Sequence, residues 1–238
     1  MAALLGLAAL CWLYLFIAAE DMASMDTAMP MEPTSGAELV LLLAMWWIMM
    51  IGMMLPSAAP MILTFATINR RRRSRAEPYV PTAMFASGYL LAWGGFSVLA
   101  TLGQWGLEHA ALFSPMDMAT TSRWLGGSLF LAAGIYQVTP LKRSCLRACR
   151  SPFDFIVNHW RDGSAGALRM GLAHGLYCLG CCALLMALLF AVGVMNLLCV
   201  AALAAVVLVE KLLPFGEWTA RSLGAGLAAY GVWVLLAA

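Results

Sequence analysis

The sequence predicts an all-α protein, a polytopic transmembrane bundle of about seven helices. Of its 238 residues, 63% are hydrophobic and only 11% are charged, and the mean hydropathy is +0.85. That much apolar surface exceeds what one soluble core can bury, so lipid must cover part of it. A helix needs about 20 mostly apolar residues to cross the roughly 30 Å hydrocarbon layer. Long apolar blocks therefore predict membrane spans.

The apolar blocks define one integral membrane domain over residues 1–238. The first block has no basic start, and its Ala18-Ala19-Glu20 end only loosely resembles a signal-peptide cleavage site. We therefore keep it as a span, and its removal would leave six. The predicted spans are residues 2–19, 38–68, 80–104, 122–140, 166–194, 196–213 and 217–237.

Charge asymmetry predicts the orientation. The loop 20–37 is acidic, rich in Met and free of Lys and Arg, whereas the loops 69–79 and 141–165 are basic. Basic flanking residues resist translocation, so the basic loops are cytoplasmic, the Met-rich loop faces outward, and the N-terminus is inside. Among the 14 basic residues only Arg123 lies at the outer boundary. We expect the bacterial inner (plasma) membrane, with the Arg70–Arg75 run on anionic lipid and no nucleic-acid partner.

The second block is longer than a perpendicular crossing requires. Residues 38–68 at a rise of 1.5 Å give roughly 46 Å, against about 30 Å of hydrocarbon. The helix must tilt, protrude or break. Pro56 and Pro60 mark the predicted break, because proline removes a backbone donor and clashes with the preceding turn.

The fifth span carries the strongest chemical signal. At 100° per residue, four soft donors occupy an arc of about 100° on one helical face. Thiolates and imidazoles suit Cu(I), Zn(II) and similar ions. One helix cannot enclose an ion with all four, so we expect further ligands from other helices. An ordinary packing role for single Cys and His residues is the alternative. The four donors are His174, Cys178, Cys181 and Cys182.

Methionines supply a second signal in the second span. Met45, Met49 and Met53 form one stripe, and thioethers are uncharged soft ligands that suit Cu(I). Gap filling between helices is the alternative. A neighbouring stripe contains Met50, Met54 and Met61. Counted inward from the Arg anchors, Met54 lies about 24 Å and Cys182 about 20 Å along their helices, so the two stripes can meet near mid-membrane.

Three residues near the cytoplasmic side are auxiliary candidates. Cys145 and Cys149 lie four residues apart on a basic segment, where neighbouring positive charge is expected to lower their pKa values. They could pass a metal on or be ordinary interfacial thiols. Glu210 could form a local ion pair with Lys211, snorkel to the interface or hold a proton.

Three segments together resemble the bacterial DUF2182 family of predicted metal-binding integral membrane proteins. They are the Met/Trp-rich segment ending Met53-Met54-Leu-Pro56-Ser57-Ala-Ala-Pro60-Met61, the segment from Tyr136-Gln137 through Pro140 to Cys145 and Cys149, and Gly171 to Met186 with His174, Cys178, Cys181 and Cys182. The resemblance covers spans two to six and implies a metal-binding membrane role. It supplies no substrate or reaction.

Taken together, these features predict a membrane protein that handles a soft transition metal, most simply copper as Cu(I), with zinc as the alternative. It would transport the ion, relay it or deliver it to a partner, such as a periplasmic metal chaperone or a larger membrane complex. A thiol-redox protein and an accessory subunit with structural Cys and Met are the alternatives. No hydrolytic or nucleotide motif is present, so an enzyme is the less favoured interpretation.

Overall fold

The structure, a computed structural model, describes residues 1–24, 36–76, 78–114 and 118–237. It is all-α apart from a short hairpin in which Phe113 pairs with Thr120 and Ser114 with Ala119. The elements are α1 Ala2–Ser24, α2 Gly36–Ser74, α3 Thr82–His109, β1 Phe113–Ser114, β2 Ala119–Thr120, α4 Arg123–Gln137, α5 Pro140–Arg150, α6 Pro152–His159, α7 Gly163–Ala187, α8 Leu189–Val192, α9 Leu197–Leu212 and α10 Gly216–Leu236.

Helix α2 does not break at its prolines. It runs without interruption through Pro56 and Pro60 and continues to Ser74, so tilt or protrusion must accommodate the excess length. Three arginines, at positions 71 to 73, form its last turn, where positive charge interacts favourably with the helix dipole. The start of the predicted basic loop 69–79 is therefore helical. Most of the Met-rich loop, residues 25–35, lies outside the described residues.

Four helices are long and apolar enough to cross a membrane, by length and composition. They correspond to the first, second, third and fifth predicted spans: Ala2–Asp21, Gly36–Ser74, Thr82–His109 and Gly163–Val192. Helices α4 and α9 match the predicted bounds but have only 15 and 16 residues, or roughly 22 to 24 Å. The count of seven spans stays a prediction.

The two helices of the predicted basic loop begin at local sequence signals. The Thr139 side chain accepts a hydrogen bond from the Lys142 amide, and Pro140 occupies the first turn of α5. Pro152 likewise begins α6. Side-chain caps satisfy amides that lack helical partners, and proline has no amide to satisfy. The predicted loop 141–165 thus contains two helices that hydropathy alone does not predict.

Close contact between α3 and α7 depends on glycine. A methyl group on Gly171 would overlap the carbonyl oxygen of Phe85, and one on Gly88 would overlap that of Leu168. Small residues let two helix backbones approach in this way inside a membrane. The pair therefore brings the inner faces of α3 and α7 together at short range.

A second pair, α4 and α10, is built in the same way. A methyl group on Gly134 would overlap the backbone nitrogen of Ala228, and one on Gly231 would lie 2.6 Å from that of Leu131. A methyl group on Gly224 would lie 2.7 Å from the Cβ of Gln137. Glycine-mediated packing thus occurs twice in the bundle, between α3 and α7 and between α4 and α10.

A buried ion pair joins α5 to α9. Lys142 Nζ lies 2.7 Å from Glu210 Oε2, and the side chains are 1% and 2% exposed. Gln137 Nε2 donates to the other oxygen of Glu210 at 3.0 Å, and Lys142 also donates to Gln137. A charged pair of this kind is retained only when further hydrogen bonds satisfy it. The network fixes the start of α5 against the membrane helices.

Candidate metal site

Sulfur atoms from α2 and α7 meet inside the bundle. Cys182 Sγ lies 3.9 Å from Met54 Sδ, so the two soft-donor stripes touch at this point, as their similar depths predict. The Cys178, Cys181 and Cys182 side chains are at most 1% exposed, and so is Met54. Cys181 and Cys182 both donate to the carbonyl oxygen of Cys178, at 3.1 and 2.9 Å. One turn of α7 therefore gathers three thiols.

Cys178 has polar neighbours on two other helices. Its sulfur lies 2.8 Å from the Lys211 ammonium of α9 and 3.2 Å from the Tyr89 hydroxyl of α3. That hydroxyl also donates to the Met54 carbonyl at 3.1 Å. An ammonium at this distance stabilises negative charge on sulfur. Cys178 is thus the most polarised thiol of the cluster.

Lys211 is almost fully buried and has two partners. Besides Cys178, its ammonium donates to Ser57 Oγ of α2 at 3.1 Å, and the residue is 6% exposed. It neither snorkels to the interface nor pairs with Glu210, since Glu210 pairs with Lys142. Buried charges in membrane interiors require such partners and indicate function.

Cys149 connects α5 to the same cluster. Its side chain packs against the buried core that contains Cys178 and Cys181, while the residue itself is only half-buried. Interaction with those two thiols, and then burial, raises the pKa of Cys149. Burial also raises the pKa of Cys145, whose sulfur lies against Gly180. The expected lowering of both pKa values is therefore wrong, because the two thiols face the bundle and not the arginines beside them.

His174 lies apart from the thiols. Its ring stacks on Tyr89 with centroids 5.5 Å apart and on Phe85 at 6.2 Å, and Phe155 approaches it edge-on. The residue is 2% exposed, and its Nδ1 has no hydrogen-bond partner within the described part of the chain. It shares the face of α7 with the cysteines but occupies an aromatic pocket.

The remaining methionines of α2 are buried along the interior face of the helix. Met54 is the member of the two stripes whose sulfur touches the cysteine cluster. The others fill the interior along α2, with exposed fractions of 6% or less. They are Met45, Met49, Met50, Met53 and Met61.

Aromatic and amide side chains close the end of the methionine column nearest the start of α2. Trp46, fully buried, donates to Gln104 Oε1 at 2.9 Å, and Gln104 in turn donates to Glu108 at 2.9 Å. The Trp46 ring lies 5.2 Å from that of Phe190. At this end of the column, the Glu108 carboxylate therefore lies nearer the surface of the bundle than the Trp46 indole.

The donors fit a soft cation better than a hard one. Thiols and a thioether favour Cu(I), whereas carboxylates favour Mg²⁺ or Ca²⁺, and Glu210 is committed to Lys142. Among the described residues, no three His, Cys, Asp or Glu side chains are grouped as ligands of one ion. A site here would thus combine two thiolates with the Met54 thioether, a set of low coordination number that suits Cu(I).

Tyr89, Ser57 and Lys211 are absent from the ligand set that the sequence predicts. Lys211 carries a usable signal, because a lysine inside an apolar block demands a partner. Tyr89 and Ser57 carry none, since their roles depend on which helices become neighbours.

The fold and the site together define a helical membrane protein with a buried cluster of soft sulfur donors. Residues 43–234 match the family described as PpoB2, copper chaperone, and the chain belongs to that family. No curated protein and no solved structure matches the chain.

The family agrees with a copper-related function and with a metal ion as a partner. The DUF2182 name stays a prediction, as do transport and the inner-membrane location. The four long apolar helices are consistent with a membrane protein.

Proposed function

We propose that the protein binds Cu(I) in the membrane through Cys178, Cys182 and Met54, and holds it for delivery to a partner. One observation carries the proposal: two helices bring soft sulfur atoms into contact beside a buried ammonium. The copper chaperone description of the family supports the choice of ion. The methionine column of α2 would serve as a relay toward the outer face, and the bacterial inner membrane would be its location.

Charge balance supports Cu(I) over zinc. Copper(I) held by two thiolates is an anion with one net negative charge, which the Lys211 ammonium, 2.8 Å from Cys178, would neutralise. A zinc ion on the same two thiolates would be neutral and would leave that ammonium without a counter-charge. Uncompensated charge is costly in a buried site. The Lys211 ammonium therefore favours Cu(I) over zinc at this site.

Elemental analysis of the purified protein tests the proposal. The protein is loaded anaerobically with Cu(I), freed of excess ion and analysed beside a Cys178→Ser/Cys182→Ser variant. The matched control is Cys11→Ser/Cys199→Ser, which removes two thiols outside the cluster. We expect near-stoichiometric copper in the wild type and the control, and little in the first variant.

Two further variants refine the ligand set. Met54→Leu keeps the volume and removes the thioether, so we expect weaker copper retention. His174→Gln should keep its copper, because the imidazole lies in the aromatic pocket and not at the sulfurs. Full copper in the Cys178→Ser/Cys182→Ser variant would refute the site. Preferential loading with zinc from an equal mixture would refute the choice of ion.

A second candidate function is thiol redox exchange, favoured by the packing of Cys149 against the buried core that contains Cys178 and Cys181. Forming one disulfide from two thiols releases two electrons and two protons, so a separate electron acceptor is required. All seven cysteines, each in the described part of the chain, are free in this structure. Thiol trapping across a redox titration tests this function: a reversible Cys149 disulfide supports it, and unresponsive thiols refute it.

A further inference from the structure

Helix α5 lies between the cytoplasmic arginines and the sulfur cluster. Arg147 on its outer side is 72% exposed, whereas Cys145 lies against Gly180 of α7. Cys149 has both properties, because it is half-buried and packs against the buried core that contains Cys178 and Cys181. One side chain therefore reaches from the cytoplasmic surface to the site.

Contacts at both ends fix the position of α5. Lys142 pairs with Glu210 at its start. At its end, Arg150 donates to the carbonyl oxygens of Leu213 and Pro214, at 2.7 and 3.2 Å. These bonds satisfy acceptors where α9 ends. Because α5 is fixed at both ends, Cys149, one residue before Arg150, is held against α7.

We infer that Cys149 is the transfer residue through which Cu(I) passes between the buried site and an anionic thiol ligand in the cytoplasm. This inference rests on the proposed function. The step is ligand exchange: a copper–sulfur bond to Cys149 forms as those to Cys178 and Met54 break, one incoming thiol then replaces Cys149, and a second replaces Cys182. Copper stays cuprous, and the proton of each incoming thiol returns to the cysteine that the ion leaves.

The surface around Cys149 selects for negative charge in the ligand. Arg143, Arg147 and Arg150 lie on the same helix, and the arginines at the end of α2 face the same side of the membrane by the charge rule. Clustered positive charge raises the local concentration of anions and the rate of their approach. An anionic thiol would therefore reach Cys149 faster than a cationic one.

Copper extraction from the loaded protein measures the transfer. The probe is bicinchoninate, an anionic Cu(I) chelator, added to wild type, Cys149→Ser and the control Cys199→Ser. Cys199 lies about 18 Å along α9 from Lys211, outside the cluster. We expect Cys149→Ser to retain its copper and release it at least tenfold more slowly, and Cys199→Ser to match the wild type. Added salt should slow extraction from the wild type.

The outcomes separate this inference from the proposed function. A wild type that binds no copper overturns both. Equal release rates in Cys149→Ser and the wild type, with copper bound in each, overturn only the transfer role. Loss of copper from Cys149→Ser also overturns it, because Cys149 would then be a ligand of the resting site.

Sealed vesicles show on which side of the membrane copper is released. Inverted vesicles, whose cytoplasmic face is outward, should release copper to the impermeant chelator, and right-side-out vesicles should not. Release from right-side-out vesicles alone would overturn a cytoplasmic exit. Extraction that does not depend on salt would overturn the requirement for an anionic ligand.

Discussion

The α3–α7 and α4–α10 pairs share one packing device and differ in what lies beside it. Both rely on glycines whose missing side chains admit the partner backbone, such as Gly171 in the first pair and Gly134 in the second. The α3–α7 pair carries a sulfur group in a polar contact, with Tyr89 and Cys178 touching across it. Close packing therefore stabilises both helix pairs, whereas the candidate metal site depends on a few side chains along α3 and α7.

Replacing Gly171 with Ala should have the largest effect. The added methyl group would overlap the Phe85 carbonyl, so the helices must separate, and the cost should exceed the roughly 1–3 kcal/mol typical of overpacking. We expect loss of thermal stability together with loss of copper, measured as copper per folded protein. Gly134→Ala, the matched change in the other pair, should lose stability and keep its copper. Equal copper loss in both variants would erase the distinction between the pairs.

Breaking the buried ion pair between α5 and α9 should have the next largest effect. Lys142→Met leaves the Glu210 carboxylate buried without its cation, which typically costs about 3–5 kcal/mol. Chemical denaturation in detergent measures the loss. The double variant Lys142→Met/Glu210→Gln should recover most of it, since a neutral amide no longer needs the ammonium. A double variant no more stable than the single one would contradict this explanation.

Removing the ammonium from the site should affect binding more than folding. Lys211→Met deletes the charge beside Cys178, and we expect about tenfold weaker Cu(I) affinity, equivalent to roughly 1.4 kcal/mol. Competition with a chelator of known affinity measures it. Ser57→Ala removes the other Lys211 partner and keeps the ammonium, so its affinity should change little. Unchanged affinity in Lys211→Met would refute the charge-balance argument.

The smallest effect is expected outside the membrane, where Asp162 at the start of α7 pairs with Arg72 of α2 at 2.9 Å. Hydrogen bonds from Trp160 and Arg72 lower the pKa of this exposed carboxyl below its ordinary 3.8. Its contribution to stability is therefore present above that ordinary value and is lost as the pH falls through the lowered one. Asp162→Asn should remove that part of the acid dependence of stability. Thermal unfolding measured between pH 5 and pH 2 tests this. Copper binding at neutral pH should not change.

Hydropathy predicts the long helices because the signal is local. The bounds of α3 and α10 lie within five residues of the predicted spans, whereas the orientation that the charges predict stays a prediction. Proline predicts a break in α2 that does not occur; neighbouring helices can compensate for a lost backbone donor in a membrane. Helices α5 and α6 are missed, because α5 is rich in Arg and Lys and α6 has only eight residues.

The site is predictable only in part. Its donors on α2 and α7 follow from residue type and helical spacing, and the contact between Met54 and Cys182 agrees with their depths. The separation of His174 from the thiols does not follow from spacing, because it depends on the aromatic rings of α3 and α6. The role of Lys211 depends on how α9 packs against α7, which no local pattern encodes.

The order in which the chain is synthesised gives the Lys211–Cys178 contact a consequence for biogenesis. Met54 leaves the ribosome early, whereas Lys211 emerges close to the end of the chain. Until α9 has inserted and packed, the thiols of α7 lack their ammonium and the start of α5 lacks its partner, Glu210. A chain that lacks α9 therefore has an incomplete site, and under the proposed function copper capture would follow the insertion of α9.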